Sequence, residues 1–334
     1  MRVAVDLLGG DHAPREIILG VAEALRSGAF RADELLLVGP AASAEALLRE
    51  EGVTEMPEML HTESVIAGHE KPVEGLRAKP DASIALCVGA VRSGQAAGLV
   101  AFGNTGATVA ASTMGLGLLP GIRRPGIAVS MLGRGGRFLL LDAGANPSPK
   151  PLHLVQYAVM GRAYARHVLG HEEPRVGLLN IGGEASKGNE VMKQAHVQLE
   201  ERDLPFVGNV EGNQLFSGAA DVYVADGFVG NMVLKVVEGF AEYLVGVAAE
   251  SGGEGSLRSF LRGLLGASDF SEVGGALLLG LNGAVVIGHG RSRANAVLPA
   301  LRAARTEVEA EVNRHIVEDL AAANPGTDEV APAT

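Results

Sequence analysis

The chain is 334 residues long, 47% hydrophobic and 20% charged, the balance of a folded protein able to bury a large core in one or two α/β units. Its formal net charge of -11, its lack of tryptophan and its 4% aromatic content argue against a polyanionic partner and against platforms that stack single-stranded nucleic acid. One cysteine, Cys87, excludes an internal disulfide framework and fits a reducing compartment, and no secretory h-region or run of about 18 uncharged apolar residues is found.

The pattern predicts a strand over Val3–Leu8, from which GGDHAP leads into a helix beginning at Pro14. A second strand follows at Leu35–Val38, then a helix over Ala44–Glu50. Residues 53–80 carry Pro57, Pro72 and Pro80 with mixed charge and read as a short strand and an irregular loop. Asp81 is expected to cap a helix to about Arg92, with Cys87 on its apolar face, and Leu99–Phe102 is a strand closed by GNTGATVAAS. Ile127–Met131 and Phe138–Leu141 are strands joined by a G-R-G-G hairpin, and DAGANPSPKP leads into a helix over Leu152–Leu169.

Val176, Leu178, Leu179 and Ile181 read as a buried strand that breaks into the glycine turn GGEASKG and opens into a helix near Asn189. Lys187 then stands beside unpaired helix N–H groups, a place to hold an anion. The lysine precedes its glycine and no Ser or Thr follows, so this is not a P-loop. Short strands at Phe206–Val207 and Val222–Ala225 come next, and DGFVGN from Asp226 starts a helix to about Ala249. After a Gly/Ser break, Leu257, Phe260, Leu261, Leu264 and Leu265 form an apolar stripe at helical spacing, a protrusion over about 250–272. Val285–Ile287 is the last strand, GHGRSRAN follows it, one helix spans Ala294–Leu320, and 324–334 is a disordered tail.

Alternating strands and helices predict a three-layer, Rossmann-like, mostly parallel sheet in a single domain over 1–323. All strand-to-helix turns are then expected on one carboxyl edge, where ligands bind. Polar residues do gather in those turns: Asp11 and His12, Asn104 and Thr105, Asp142 and Asn146, Lys187 and Asn189, Asp226 and Asn231, His289. Glycine and Asx residues there also serve as ordinary caps. No G-x-G-x-x-G follows a strand, no G-x-S-x-G elbow occurs, and no tight His or carboxylate spacing marks a metal site. No cofactor is expected, although scattered carboxylates could hold Mg2+ beside a bound phosphate. A cleft of helix N-termini, amides and one lysine suits binding a tetrahedral anion and stabilising charge at a carbonyl.

At these residues the sequence resembles the bacterial phosphate acyltransferase family, the acyl-acyl carrier protein:phosphate acyltransferases of phospholipid synthesis. The matching motifs are DLLGGDHAP from Asp6, GNTGAT from Gly103, LDAGAN from Leu141, HLVQYAVMG from His153, PRVGLLNIGGEASKGNE from Pro174, FVGNVEG from Phe206, VADGFVGNMVLK from Val224 and LNGAVVIGHG from Leu281. They run in order over almost the whole chain. Departures are DLLGGD in place of the family's usual DAMGGD and a poor match over 66–80.

The resemblance implies a fold similar to phosphotransacetylases and the isocitrate dehydrogenase-like group. It implies transfer of a long fatty acyl group from acyl carrier protein to inorganic phosphate, giving acyl phosphate for glycerol-3-phosphate acylation. It further implies a homodimer in the cytoplasm with peripheral membrane association, feeding a membrane glycerol-3-phosphate acyltransferase. Carried onto this chain, Lys187 becomes the phosphate or oxyanion cation and Asn231 orients thioester or phosphate. Gly10, Asn104, Thr105, Gly106, Asp142, Asn146 and Asn189 join the anion-binding turns. Asp6, Asp11 and Asp226 either steer a neighbouring base or cap helices, and His289 is a proton shuttle or a structural histidine.

By its residues alone the stripe 257–265 packs in a dimer; the resemblance makes it a membrane and acyl-tunnel element. Because acyl carrier proteins are acidic, docking requires a locally basic face, for which Arg258, Arg262, Arg291, Arg293, Arg302 and Arg305 are candidates. Competing readings are a short-chain phosphate acyltransferase using coenzyme A thioesters, a scaffold that has lost catalysis, and a metal-dependent dehydrogenase.

Overall fold

A computed structural model describes residues 1–250 and 275–323. Among them, 11 strands form one sheet in the order β3-β2-β1-β4-β11-β10-β5-β6-β9-β7-β8. In its first half, β1 (Val3–Asp6), β2 (Leu35–Gly39), β3 (Glu58–His61), β4 (Gly98–Ala101) and β11 (Ala284–Ile287) are parallel. Every residue of β1, β2, β4 and β11 is buried, which is why these strands read as continuous apolar runs rather than alternating ones.

In its second half, β6 (Gly136–Leu141), β7 (Val176–Asn180), β8 (Phe206–Glu211) and β9 (Val222–Val224) are likewise parallel to one another. The two halves are joined by β10 (Ala276–Leu279), antiparallel to β11 and to β5 (Gly126–Gly133), and β5 is in turn antiparallel to β6. An odd number of reversals therefore separates the halves, and their strands run in opposite directions. This corrects the expectation of a single carboxyl edge: the turns after β1, β4 and β11 leave one edge of the sheet, those after β6, β7 and β9 the other.

Helices cover both faces. The helices α1 (Arg15–Arg26), α2 (Ala41–Glu50), α6 (Pro151–His167), α7 (Glu190–Glu200), α9 (Val297–Glu309) and α10 (Val312–Ala322) bury their apolar stripes on one face. On the other lie α3 (Pro72–Ala78), α4 (Ser83–Arg92), α5 (Thr105–Leu116) and α8 (Gly227–Glu250). Cys87 fills the core under α4.

Five local expectations change. Ile181, read as a buried strand residue, lies past the end of β7 and is 82% exposed. Residues 72–78, expected to be irregular, form α3, with Pro72 in its first turn, where a missing N–H costs nothing. Asp81 does not cap α4; the cap position is Ala82, and the Asp81 carbonyl instead accepts the Thr62 hydroxyl at 2.8 Å. The strand β10 was not expected, because ALLLG after a glycine pair has no alternation to distinguish strand from helix. The single C-terminal helix is two, broken at Glu311, whose φ of 48° is left-handed. The stripe Leu257, Phe260, Leu261, Leu264 and Leu265, with Arg258 and Arg262, and the tail 324–334 lie outside the described residues.

Candidate active site

The helices α5 and α8 sit on the same face of the sheet but over its opposite halves. Between them the central strands β11, β10 and β5 present Ile287, Ala276 and Ile127, so a cavity of about 680 Å³ opens with an apolar floor. Val109, Ala110, Thr113 and Met114 of α5 form one wall, and Leu234 of α8 belongs to the other. Polar groups stand at both ends. Strand register places Ile287 opposite Ala276 at one end of the β10–β11 hairpin, whereas Gly126 pairs with Leu279 at the other. Thr105, Gly106, Lys235, Glu238 and His289 thus belong to the first end, and Arg124, Asn146 and Asn231 to the second.

The second end is built by the turn after β6. Asp142 is buried, and its carboxylate accepts backbone N–H groups from Ile127 (3.0 Å), Gly144 (2.9 Å), Ala145 (2.8 Å) and Asn146 (2.6 Å). Burial is the largest influence on this carboxyl and raises its pKa, against the four donors. Asn146 then donates its amide to the Pro125 carbonyl at 2.8 Å and to the Tyr157 hydroxyl at 2.6 Å. The α8 helix docks on the same turn: a Cβ at Gly230 would collide with the Asp142 carbonyl oxygen, so DGFVGN needs glycine there for close approach. That contact lets Asn231 donate to the Ala143 carbonyl at 3.2 Å.

At the first end, His289 Nδ1 accepts the Arg291 backbone N–H at 3.1 Å, and its Nε2 lies 3.4 Å from Lys235 Nζ. Lys235 also donates to Glu238 at 2.7 Å. Burial first, and then the Lys235 charge, lowers the His289 pKa. The first turn of α5, whose N–H groups have no intrahelical partners, borders the same end through Thr105 and Gly106.

Of the residues singled out in the sequence, Thr105, Gly106, Asn146, Asn231 and His289 line this one cavity. The others do not. Asp6 is buried and accepts the Leu8 and Gly9 N–H groups at 3.0 and 3.2 Å, closing its own turn. Burial is the main influence on it and raises its pKa. Gly9 packs on the next turn, where a Cβ would lie 2.6 Å from Gly103 N. Gly10 has a φ of 110°, and its neighbour Asp11 donates its N–H to Gly290 O at 2.7 Å. Asn104 caps α5 through Ala107 N at 3.0 Å, and its amide nitrogen faces the carbonyls of Ala67, Gly68 and Glu70 at 3.0–3.3 Å. Its donors therefore clamp the 66–71 segment instead of serving an anion. Asp226 caps α8 through Phe228 and Val229, and Asn189 caps α7 through Met192. Lys187 is exposed on its turn, outside this cavity, on the edge that also carries Asn146.

Sequence reasoning passed over Lys235, Glu238 and Arg124. Lys235 ends the quoted motif VADGFVGNMVLK, one helical turn after Asn231, and that i,i+4 spacing was the available signal. Of the arginines offered for docking, Arg305 stacks on Phe30 at 3.6 Å and pairs with Glu34 at 3.3 Å, so it is a structural residue. Arg291 reaches Glu242 at 3.4 Å, and Arg293 and Arg302 are exposed. Among the described residues no cluster of three or more His, Cys, Asp or Glu side chains could hold a metal ion.

Comparison with known proteins fits this architecture. The model of a family described as "Fatty acid synthesis protein" matches residues 1–315. A protein named phosphate acyltransferase from Heliobacterium modesticaldum is 44% identical over 330 residues, covering 95% of this chain and 98% of the relative. Another of that name from Shouchella clausii is 41% identical over 329 residues, covering 96% and 98%. Among solved structures, a phosphotransacetylase from Streptococcus pyogenes matches with a TM-score of 0.61 at 18% identity, over 92% of this chain and 94% of that one. A 4-hydroxythreonine-4-phosphate dehydrogenase from Klebsiella pneumoniae matches at 0.53 and 12%, over 95% and 99%. These structures share the fold, and the expected likeness to phosphotransacetylases holds at that level. The full-length identities go further: the chain belongs to the phosphate acyltransferase family.

Proposed function

We propose that the chain transfers a long-chain fatty acyl group from acyl carrier protein to inorganic phosphate, releasing acyl phosphate for phospholipid synthesis. The observation that carries this reading is the cavity between α5 and α8, with its apolar floor and hydrogen-bonding groups at both ends. A phosphate oxygen attacks the thioester carbonyl carbon, the C–S bond breaks, and the proton lost by the phosphate ends on the departing sulfur. No enzyme nucleophile and no cofactor is required, so the protein's contribution is positioning and charge stabilisation. Phosphate belongs at the end with Arg124 and Asn231, and Lys187, on the same edge, is the cation assigned to it.

The relatives' name supports phosphate as acceptor, and the acidic carrier protein meets the exposed basic groups Arg293 and Arg302. We further infer a cytoplasmic homodimer that touches the membrane peripherally through Leu257, Phe260, Leu261, Leu264 and Leu265 and hands acyl phosphate to a membrane glycerol-3-phosphate acyltransferase. No described helix is long and apolar enough to cross a membrane. The test is a hydroxylamine trap with acyl-acyl carrier protein and phosphate. Phosphate-dependent acyl hydroxamate is expected; its absence, or equal rates with acetyl-coenzyme A, overturns the reading.

A further inference from the structure

We propose that Lys235 and His289 together form the seat for the thioester carbonyl oxygen, with His289 acting as a neutral donor through Nε2–H. This rests on the acyl-transfer reading and assigns its oxyanion site.

The argument starts from hydrogen-bond supply. The Arg291 backbone N–H points at His289 Nδ1 at 3.1 Å, and a backbone N–H can only donate, so Nδ1 must offer its lone pair. In a neutral imidazole the proton then sits on Nε2. Nε2 lies 3.4 Å from Lys235 Nζ, and an ammonium has donors alone. Two donors thus converge with no acceptor between them. Glu238 does not relieve this: it accepts from Lys235 at 2.7 Å and fixes that side chain in place. One oxygen with two lone pairs can accept both, and both donors line the cavity.

A carbonyl oxygen is the better occupant than a phosphate. Asn231, assigned to the phosphate end, is one helical turn from Lys235, so both side chains leave the same face of α8 and line the same cavity. That arrangement lets an attacking oxygen and a polarised carbonyl be held side by side. The groups facing His289 are Lys235 and Glu238 from α8, Arg291 on its own turn and Asp11 from the turn after β1. Taking a proton at Nδ1 would also cost the Arg291 hydrogen bond. The expectation of a proton shuttle therefore gives way to a fixed donor that strengthens as charge develops on the oxygen.

The test measures acyl phosphate formation by the wild type, Lys235→Met, Lys235→Arg, His289→Ala and His289→Gln, with thermal melts to confirm folding. Lys235→Met and His289→Ala should each lower kcat by about 100-fold or more while KM for phosphate stays within about threefold. His289→Gln, which keeps a neutral N–H, should recover at least about tenfold over His289→Ala, and Lys235→Arg should exceed Lys235→Met. Nitrogen NMR of labelled wild-type protein should report His289 as the Nε2–H tautomer at pH 7. A loss confined to KM for phosphate, an imidazolium at pH 7, or unchanged kcat in folded Lys235→Met overturns the seat. An inactive wild type would instead defeat the acyl-transfer reading itself.

Discussion

Asp142 and Lys187 mark how far single residues could be read from sequence. Asp142 was recognisable as a turn residue but not as an internal anchor, because only the hairpin brings Ile127 N–H onto a carboxylate that already serves its own turn. Thr105, Gly106, Asn146 and His289 were legible because each lies in or just after the turn that follows a strand, and Asn231 because it lies near the start of the helix that such a turn opens. Lys235 and Arg124 were not, since one lies inside a helix and the other in an irregular link, and only the opposed halves of the sheet place them at one cavity. Lys187 is the sharpest test of the phosphate assignment. It is exposed and does not line the cavity, so the assignment requires its ammonium to reach the phosphate from a separate turn. Lys187→Ala is expected to cut turnover by about 100-fold and raise KM for phosphate, in line with the loss of one charge-stabilising donor. Steady-state kinetics with varied phosphate checks this, and near wild-type values in a folded variant would remove Lys187 from the reaction.

At the scale of elements, α9 and α10 show a signal that periodicity held but a simple helix reading missed. Val297, Ala300, Leu301, Ala304 and Glu307 are the buried positions of α9, and Val312, Ile316 and Leu320 those of α10. The step from 307 to 312 is five residues, which a straight helix cannot bury on one face. The chain instead turns at Glu311. Glu307 occupies an apolar-stripe position, buried, with neither carboxyl oxygen hydrogen-bonded. Burial raises its pKa from 4.5 to about 8. The unfolded chain therefore loses this proton at lower pH than the folded one, and stability falls as pH rises from about 4.5 to about 8. Glu307→Gln keeps the shape and cannot ionise. It should raise stability by about 2 kcal/mol or more at pH 8 and by little at pH 4.5. Urea midpoints at the two pH values check this; equal shifts at both would show that the gain comes from packing.

For the whole molecule, the decisive feature is that two oppositely directed half-sheets share one long helix at their junction. The face of α8 that carries Asn231, Leu234, Lys235 and Glu238 turns to the cavity. Beside it, Phe228, Met232, Val236, Phe240 and Tyr243 follow one another at three- and four-residue steps and are 64%, 52%, 64%, 60% and 64% exposed. An apolar stripe of about four helical turns is larger than a monomer normally leaves in water. A second copy of the chain is the occupant consistent with the homodimer inferred above, and a helix facing its symmetry mate presents the same residues from both sides. Paired Phe240→Glu and Tyr243→Glu substitutions place four charges in such an interface and should shift sedimentation from dimer to monomer. Because the cavity wall and this stripe belong to the same helix, the monomer should also lose activity while keeping its melting transition. A double variant that stays dimeric would place the pairing surface elsewhere, and a fully active monomer would show that the cavity does not need α8 to be braced from outside.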